Sequence, residues 1–152
     1  FQVLSMEIAI LALGCFWGPE IKFSKIPGIK KTEVGYCGGN NQKTSYKEVC
    51  SESTNHAEVV KLEFDPDIIS YEQIIEKFFE FHDPTTLNSQ GPDFGTQYRS
   101  EIFYDNEKQS EIAKKILDQS NKKFFDKIVT RISPIKNYCK AEEYHQKYLE
   151  KK

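Results

Sequence analysis

Cys15 is the residue whose type and position could most directly do chemistry. It follows Gly14 and precedes Phe16 and Trp17, where an apolar strand is expected to turn into a helix. The first turn of a helix has unpaired N–H groups and a partial positive charge, which favour a thiolate over a thiol. A free cysteine is also often a small buried hydrophobe. Because two bulky aromatic side chains cannot both point into one core, one is expected to face the thiol, which favours a nucleophile.

Glu58 is a candidate general acid. Side chains alternate across a strand, so in the predicted strand 56–64 Glu58 shares its face with Val60, Leu62 and Phe64. A carboxyl group on an apolar face tends to stay protonated, and a neutral carboxyl near a nucleophile can donate a proton. The alternative is a strand-end position in solvent or a pairing with a lysine or arginine.

The polar stretch from Asp83 to Thr96 is expected to be a long loop, and loops of this length are often functional. Its end and the start of the next strand carry hydrogen-bonding groups of different reach, among them Asp93, Gln97, Tyr98 and Arg99. A solvated surface loop is the alternative interpretation.

The remaining cysteines and the histidines show no metal-binding spacing. There is no CxxC pair and no HExxH motif, so no bound metal or cofactor is expected and each histidine is interpreted as structural. The absence of a recognisable secretion signal favours the reducing cytoplasm, where a structural disulfide is not expected. The residues concerned are Cys37, Cys50, Cys139, His56, His82 and His145.

The elements that must position these residues alternate between strands and helices. The predicted strands are 7–13, 31–36, 56–64, 98–104 and 127–133, and the predicted helices are 15–25, 70–81 with a Ser70–Gln73 capping box, one opening at Asn106, and 141–150. A helical turn is expected over 45–50. This order indicates an α+β fold, a ferredoxin-like two-layer sandwich of a mixed sheet with helices.

Composition excludes several classes of protein. The 152 residues, 38% hydrophobic and 29% charged, fit one domain with a real core. The net charge of −2 gives no electrostatic footprint for nucleic acid, and no apolar run approaches the ~20 residues of a membrane span. Met6 is taken as the natural start, so residues 1–5 are expected to be foreign to the natural chain and 6–152 to form a single catalytic domain.

Taken together, these residues resemble the A-type peptide methionine sulfoxide reductases. The matching segments occur in the family's order and span nearly the whole chain from Gly14 to Leu149. They are GCFWG (14–18), EVGY (33–36) through Gly38-Gly39, YKEVCS (46–51), HAEVV (56–60), HDPT (82–85), GTQYRS (95–100) and AEEYHQ (141–146). GCFWG alone is moderately specific, whereas GCFWG, HAEVV and GTQYRS in series are a strong signature.

The resemblance implies reduction of the S epimer of methionine sulfoxide, free or in oxidised proteins, to methionine. Cys15 would attack the sulfoxide sulfur as a thiolate and become a sulfenic acid. Glu58 would protonate or hydrogen-bond the sulfoxide oxygen, helped by Tyr46 and Tyr98. A sulfoxide oxygen leaves poorly until it is protonated, which agrees with the neutral carboxyl inferred for Glu58.

The resemblance also implies how the substrate is held. Phe16 and Trp17 would form an apolar wall for the S-methyl group. Asp93, in the stretch before GTQYRS, would bind the substrate or order the site.

Regeneration of Cys15 is the point at which the sequence departs from the family pattern. Many members keep a resolving cysteine in a C-terminal extension, and this sequence shows none there. The expected resolving thiols are Cys37 and Cys139, with Cys50 the weaker candidate, and a resolver needs its Cα within about 7 Å of the Cys15 Cα. Otherwise an external thiol, a thioredoxin-like reductant or dithiothreitol, would reduce the sulfenic acid directly. The protein is expected to be a monomer.

Two other functions remain open at this point. One is a hydrolase or acyl transferase with Cys15 as nucleophile and a histidine within hydrogen-bond reach as base. The carboxyl group on the apolar strand face argues against it. The other is a non-enzymatic thiol redox sensor or binding module, which would have a reactive Cys15 without turnover.

Overall fold

A mixed sheet of six strands forms the centre of the protein within residues 6–151, the part of the chain that the computed structural model describes. Its strand order is β7-β6-β1-β3-β2-β8, antiparallel except for the parallel pair β6–β7. The strands are β1 (Glu7–Leu13), β2 (Ile29–Cys37), β3 (Ala57–Phe64), β6 (Ser100–Tyr104), β7 (Arg131–Pro134) and β8 (Cys139–Lys140), and β4 (Ser89–Gln90) pairs separately with β5 (Asp93–Phe94). The helices are α1 (Trp17–Ser24), α2 (Tyr46–Cys50), α3 (Tyr71–Glu80), α4 (Glu107–Lys123) and α5 (Tyr148–Lys151). The predicted α+β class is confirmed, and the expectation about residues 1–5 lies outside the described residues.

β1 lies in the middle of the sheet because both of its faces are apolar. Ala9, Leu11 and Leu13 face one core and Ile10 and Ala12 face another, and all five are buried. The strand pairs with β3 on one side and β6 on the other. A continuous apolar run in the sequence therefore became a strand covered on both faces, as predicted.

The helices α1, α3 and α4 pack in one core with the face of β1 that carries Leu11. They contribute Phe23, Phe78 and Ile116 to that core, respectively. The Ser70–Gln73 capping box predicted at the start of α3 is present, and the Asn106 side chain caps α4. These caps fix where the two helices begin, and the helices then bury their apolar faces against the sheet.

The connection of the central strands brings the end of β1 beside the start of β3. The order β1-α1-β2-β3-α3-β6 is a strand–helix–strand–strand–helix–strand path, and the ferredoxin-like label stays an interpretation of it. Since β1 and β3 are antiparallel and Leu11 pairs with Val60, the chain that leaves β1 passes next to Glu58. The fold thus explains why Cys15 and Glu58 meet.

Several predicted boundaries differ from the structure. The helix expected over 15–25 begins at Trp17, because Phe16 is its N-cap and Cys15 lies in the preceding bend. The strand expected over 98–104 begins at Ser100, because Thr96–Tyr98 forms a 3-10 turn. The strand expected over 127–133 lies at Arg131–Pro134, and the expected loop before Thr96 contains the β4–β5 hairpin.

The prediction of a last helix over 141–150 is wrong. The segment forms a 3-10 turn at Glu143–His145 and only then the short α5. Lys147 has φ +52, in the left-handed region, which interrupts a helix. The polar side chains of the segment bind neighbouring elements instead of covering one helix face, as with Gln146, whose amide bonds the backbone of Val34.

Candidate active site

Gly14 forms the tight turn that presents Cys15. Its φ of +93° lies in the left-handed region, and a Cβ there would approach the Gln90 side chain to 2.7 Å. Only glycine meets both conditions without strain. The turn leaves Cys15 half-buried immediately before the N-cap of α1, with its sulfur accepting a hydrogen bond from the Trp17 backbone N–H.

Glu58 is buried beside this turn, 1% exposed, on the apolar face of β3 that its alternation predicted. One carboxyl oxygen, Oε1, accepts a hydrogen bond from the Phe16 backbone N–H at 3.3 Å. The other, Oε2, has no hydrogen-bond partner among the described residues. Burial raises the pKa of Glu58 from its ordinary 4.5 to about 8, opposed by the Phe16 N–H and assisted by the charge of Asp93. The group is therefore mostly protonated at neutral pH and has a free oxygen to offer.

The thiol of Cys15 is not a thiolate in the substrate-free protein, contrary to the expectation from its position. Burial raises its pKa from 9.0 to about 11, and the charges of Glu58 and Asp93 act in the same direction. The hydrogen bond from the Trp17 N–H lowers the pKa of Cys15, as its place at a helix start predicts. This effect is smaller than the increase caused by burial. Since part of the increase requires an ionised Glu58, a neutral Glu58 makes Cys15 easier to deprotonate.

Asp93, Tyr98 and Tyr46 surround the same two groups. The charge of Asp93, at the start of β5, acts on Cys15, Glu58 and Tyr98. Burial, followed by the charge of Glu58, raises the pKa of Tyr98 to about 12. The Tyr46 hydroxyl lies within hydrogen-bonding reach of the Tyr98 hydroxyl, and burial raises the Tyr46 pKa strongly. Both phenols therefore stay protonated and can donate hydrogen bonds near the carboxyl group.

Phe16 and Trp17 take different positions. Phe16 is fully buried and packs against Tyr36, with ring centroids 5.8 Å apart. Trp17 is half-buried, stacks on Tyr148 at 3.9 Å between ring centroids, and donates its indole N–H to His145. Phe16 therefore lies in the core behind the site, and the indole of Trp17, which packs against that core, is the accessible part of the pair.

The two thiols predicted as resolvers lie away from this cluster. Cys37 is fully buried opposite Ala57, in the core on the other face of the sheet from Glu58, with its thiol bonded to the Lys136 carbonyl. Cys139 lies on β8, separated from β1 by two intervening strands. Neither the contacts of Cys37 nor those of Cys139 described above involve Cys15.

Cys50 lies next to Tyr46, one of the two tyrosines of the site. It is exposed at the end of α2, four residues after Tyr46 and thus on the same helix face. The Tyr46 hydroxyl is within hydrogen-bonding reach of its sulfur, and the charge of Glu58 acts on it. The i, i+4 spacing to Tyr46 was the sequence signal that could have ranked it above Cys37.

None of the described histidines bonds to Cys15. His56 binds the Gly39 N–H and the Asn41 carbonyl, His82 binds the Phe78 carbonyl and the Ser100 hydroxyl, and His145 binds Trp17. The residues from 6 to 151 also hold no cluster of three or more potential metal-ligating side chains. A Cys–His hydrolase thus lacks its base.

One sizeable cavity lies away from this site. Its volume is about 830 Å³, and it is lined by residues of α3 and α4 such as Phe79 and Ile116, with none of the predicted site residues. No helix in the described part of the chain is long and apolar enough to cross a membrane. The chemistry is instead concentrated where the acid, the thiol and the aromatic wall meet.

Sequence reasoning missed the supports of the site from the C-terminal segment. Glu142 accepts hydrogen bonds from the Tyr36 hydroxyl at 2.8 Å and from the Tyr46 backbone N–H at 2.9 Å. His145 accepts the Trp17 indole N–H at 3.1 Å across 128 positions of sequence. No local pattern in the sequence announces contacts between segments so far apart.

Comparison with known proteins agrees with this geometry. The family model described as peptide methionine sulfoxide reductase matches residues 7–152. The chain is 68% identical to peptide methionine sulfoxide reductase MsrA of Pelagibacter ubique, over 97% of this chain and 100% of that protein. The fold is similar to reduced Mxr1 of Saccharomyces cerevisiae, with a TM-score of 0.94 and 42% identity, covering 99% of this chain and 88% of that one. It is also similar to Mxr1 in complex with Trx2, with a TM-score of 0.70 and 28% identity, covering 97% and 88%.

Proposed function

The chain belongs to the peptide methionine sulfoxide reductase family and is an A-type oxidoreductase, and we propose that it reduces the S epimer of methionine sulfoxide with Cys15 and Glu58. The observation that carries the residue assignment is the buried carboxyl of Glu58, with its unpartnered Oε2 and raised pKa beside the thiol. Protein-bound and free methionine sulfoxide both present the sulfoxide that this pair acts on.

The reaction starts with the sulfoxide oxygen at Glu58 and the sulfur facing Cys15. Glu58 gives its proton to the oxygen, which makes the sulfur more electrophilic and the oxygen a better leaving group. The Cys15 sulfur attacks the sulfoxide sulfur and forms an S–S bond, and its proton replaces the one that Glu58 gave. The oxygen then moves as hydroxyl from the substrate sulfur to the Cys15 sulfur while the S–S bond breaks, so methionine leaves as a thioether and Cys15 becomes a sulfenic acid. The sulfoxide is reduced and the thiol is oxidised by the same two electrons.

Other site residues orient the substrate. Tyr46 and Tyr98 donate hydrogen bonds near the oxygen, and Phe16 and Trp17 receive the methyl group. Asp93 helps to keep Glu58 protonated, because its charge raises the pKa of that carboxyl.

Discrimination between epimers follows from three fixed points. The acid holds the oxygen, the aromatic wall holds the methyl group and the thiol lies in line with the sulfur, so only one hand of the sulfoxide fits all three. The family resemblance identifies that hand as S.

Regeneration uses an external dithiol. Two thiols reduce the sulfenic acid to the thiol, giving one disulfide and one water. The complex of Mxr1 with Trx2 supports a thioredoxin-like protein as the reductant. If an internal disulfide precedes this step, Cys50 is favoured over Cys37 and Cys139 as the partner of Cys15, because it is exposed and the charge of Glu58 acts on its thiol.

The test is turnover of the two purified epimers with dithiothreitol. We expect reduction of S-methionine sulfoxide, little reduction of the R epimer, and loss of activity in Cys15→Ser with activity retained in Cys37→Ser. Absence of S-epimer turnover, or activity surviving in Cys15→Ser, would exclude the proposal. A reactive Cys15 without multiple turnover would instead favour the redox-sensor alternative.

The resolving step is tested by mass spectrometry of protein oxidised by substrate without reductant. A sulfenic acid trapped at Cys15 would indicate direct reduction by the external thiol. A disulfide between Cys15 and Cys50, absent in Cys50→Ser, would identify the internal resolver, and a bridge to Cys37 or Cys139 would contradict our preference.

A further inference from the structure

His145 is a buried side chain that the reaction above does not use. It is 2% exposed, in the 3-10 turn of the C-terminal segment, and aromatic rings surround its imidazole. The distances between ring centroids are 5.2 Å to Phe16, 5.7 Å to Trp17, 4.7 Å to Tyr46 and 4.2 Å to Tyr144. It therefore contacts both halves of the apolar wall and one of the hydrogen-bonding tyrosines.

The hydrogen bond between Trp17 and His145 fixes the state of the imidazole. An indole N–H can only donate, so His145 Nδ1 must accept and carry no proton. The ring is then neutral with its proton on Nε2, an atom that has no hydrogen-bond partner among the described residues. Burial lowers the pKa of His145, with the charge of Glu142 opposing, which agrees with a neutral ring.

The indole of Trp17 is held from two sides. Tyr148 stacks on it with an interplanar angle of 13°, and His145 Nδ1 binds its N–H at 3.1 Å. The stack fixes the plane of the indole but allows it to slide, whereas the hydrogen bond fixes where it lies in that plane. The backbone N–H of the same residue binds the Cys15 sulfur, so Trp17 links the thiol to the wall.

We propose that His145 is a positioning residue of the reductase, whose Nδ1 holds the Trp17 indole where it receives the S-methyl group of the substrate. The inference rests on the proposed function for the identity of the substrate. His145 itself touches no reacting atom, so its loss should weaken substrate binding more than the chemical step.

Protonation of His145 should release the indole. A protonated Nδ1 would face the indole N–H as a second donor, so the bond exists above the His145 pKa and is lost below it. The titratable groups around the ring are Glu142 and Tyr144 on its own segment and Tyr46 from α2, while α1 presents only aromatic rings there.

Two substitutions separate positioning from general support. His145→Phe keeps a flat apolar ring but removes the acceptor, whereas His145→Asn keeps an acceptor oxygen close to the place of Nδ1. Tyr144→Phe is the matched control, because it keeps the ring that contacts His145 and removes a hydroxyl that interacts with Glu142 rather than with the imidazole or the indole.

The first readout is kinetic. We expect KM for S-methionine sulfoxide to rise about five- to tenfold in His145→Phe, the size of one net hydrogen bond, with kcat within about twofold. His145→Asn should recover most of the KM, and Tyr144→Phe should match the wild type. Unchanged KM in His145→Phe, or equal losses of kcat in both His145 variants, would overturn the proposal.

The second readout needs no turnover. Trp17 is the single tryptophan of the sequence, so intrinsic fluorescence reports on this indole alone. In the wild type, the emission of Trp17 should change and its anisotropy should fall below pH 6.5, the ordinary pKa of histidine. His145→Asn should show neither change, and His145→Phe should have the low anisotropy at every pH. Identical anisotropy in all three proteins would refute the hydrogen bond as the holding contact, and this result would stand even if the wild type failed to reduce the S epimer.

Discussion

Replacing Glu58 by glutamine should stabilise the fold while it lowers activity. Glutamine has the same shape and retains an oxygen that can accept the Phe16 N–H, so the substitution changes mainly the ability to ionise. The carboxyl is almost completely buried, and its pKa is raised from 4.5 to about 8, first by burial and then by the charge of Asp93. An ionisable group kept neutral in this way opposes folding once the unfolded chain has released its proton.

The sign and size of this stabilisation follow from the coupling between proton binding and folding. Below pH 4.5 both states hold the proton, and Glu58 contributes nothing to the pH dependence. Between pH 4.5 and 8 only the folded state holds it, so the folded protein is progressively disfavoured as the pH rises. The difference between the two pKa values corresponds to about 5 kcal/mol above pH 8 and about 3 kcal/mol at pH 7. Glu58→Gln should recover these amounts.

The assay is urea unfolding of the wild type and Glu58→Gln at pH 4, 7 and 9 with reductant present. The free-energy difference should grow from near zero to its full size across this range. Glu63→Gln, on the same strand but partly exposed, is the control and should stay within about 0.5 kcal/mol. A difference between Glu58→Gln and the wild type that is equal at pH 4 and pH 9 would show that the Glu58 pKa is not raised, and the acid role would lose its physical basis.

Three further outcomes are expected. Asp93→Asn should lower the pKa of Glu58, because it removes a neighbouring negative charge. The alkaline fall in activity should then begin at lower pH than in the wild type, and an unshifted pH profile would contradict this. Glu101→Ala should cost about 3–5 kcal/mol in urea unfolding, because it leaves buried Arg99 without the partner that it binds at 2.6 Å, whereas a loss below about 1 kcal/mol would mean that water replaces the carboxylate. Gly14→Ala should lower both the melting temperature and the rate of Cys15 alkylation, since its left-handed φ and the nearby Gln90 side chain exclude a Cβ; a wild-type melting temperature would refute that strain.

Local patterns in the sequence were enough to predict the elements around the acid. The continuous apolar run of β1 predicted a strand buried on both faces, and the Ser70–Gln73 pair predicted the cap of α3. Alternation along β3 predicted that Glu58 shares a face with Val60, and both are buried. In each case the information lies within a few residues and reflects the period of one element.

The charge state of Cys15 could not be predicted in the same way. Its place before a helix correctly indicated a hydrogen bond from the Trp17 N–H, which lowers the thiol pKa. Burial and the carboxyl groups of Glu58 and Asp93 raise the pKa by more, and both carboxyl groups come from distant parts of the chain. The position of Cys15 in the sequence therefore predicted that the helix start lowers its pKa, but it could not predict that the other effects together raise it.

The C-terminal segment shows why amphipathic spacing alone was misleading. Glu142, His145 and Gln146 have the spacing of one helix face, yet a helix would have left the edge of β2 uncovered. Beyond its pairing with β8, that edge is completed by the Gln146 amide, which accepts the Val34 N–H and donates to the Val34 carbonyl, both at 2.9 Å. The side-chain amide thus makes the two hydrogen bonds that the backbone of a neighbouring strand would make. The exposed edge of the sheet is covered there without an added strand. The same irregular path directs Glu142 to Tyr46, so covering the edge of β2 and supporting the active site are one structural solution.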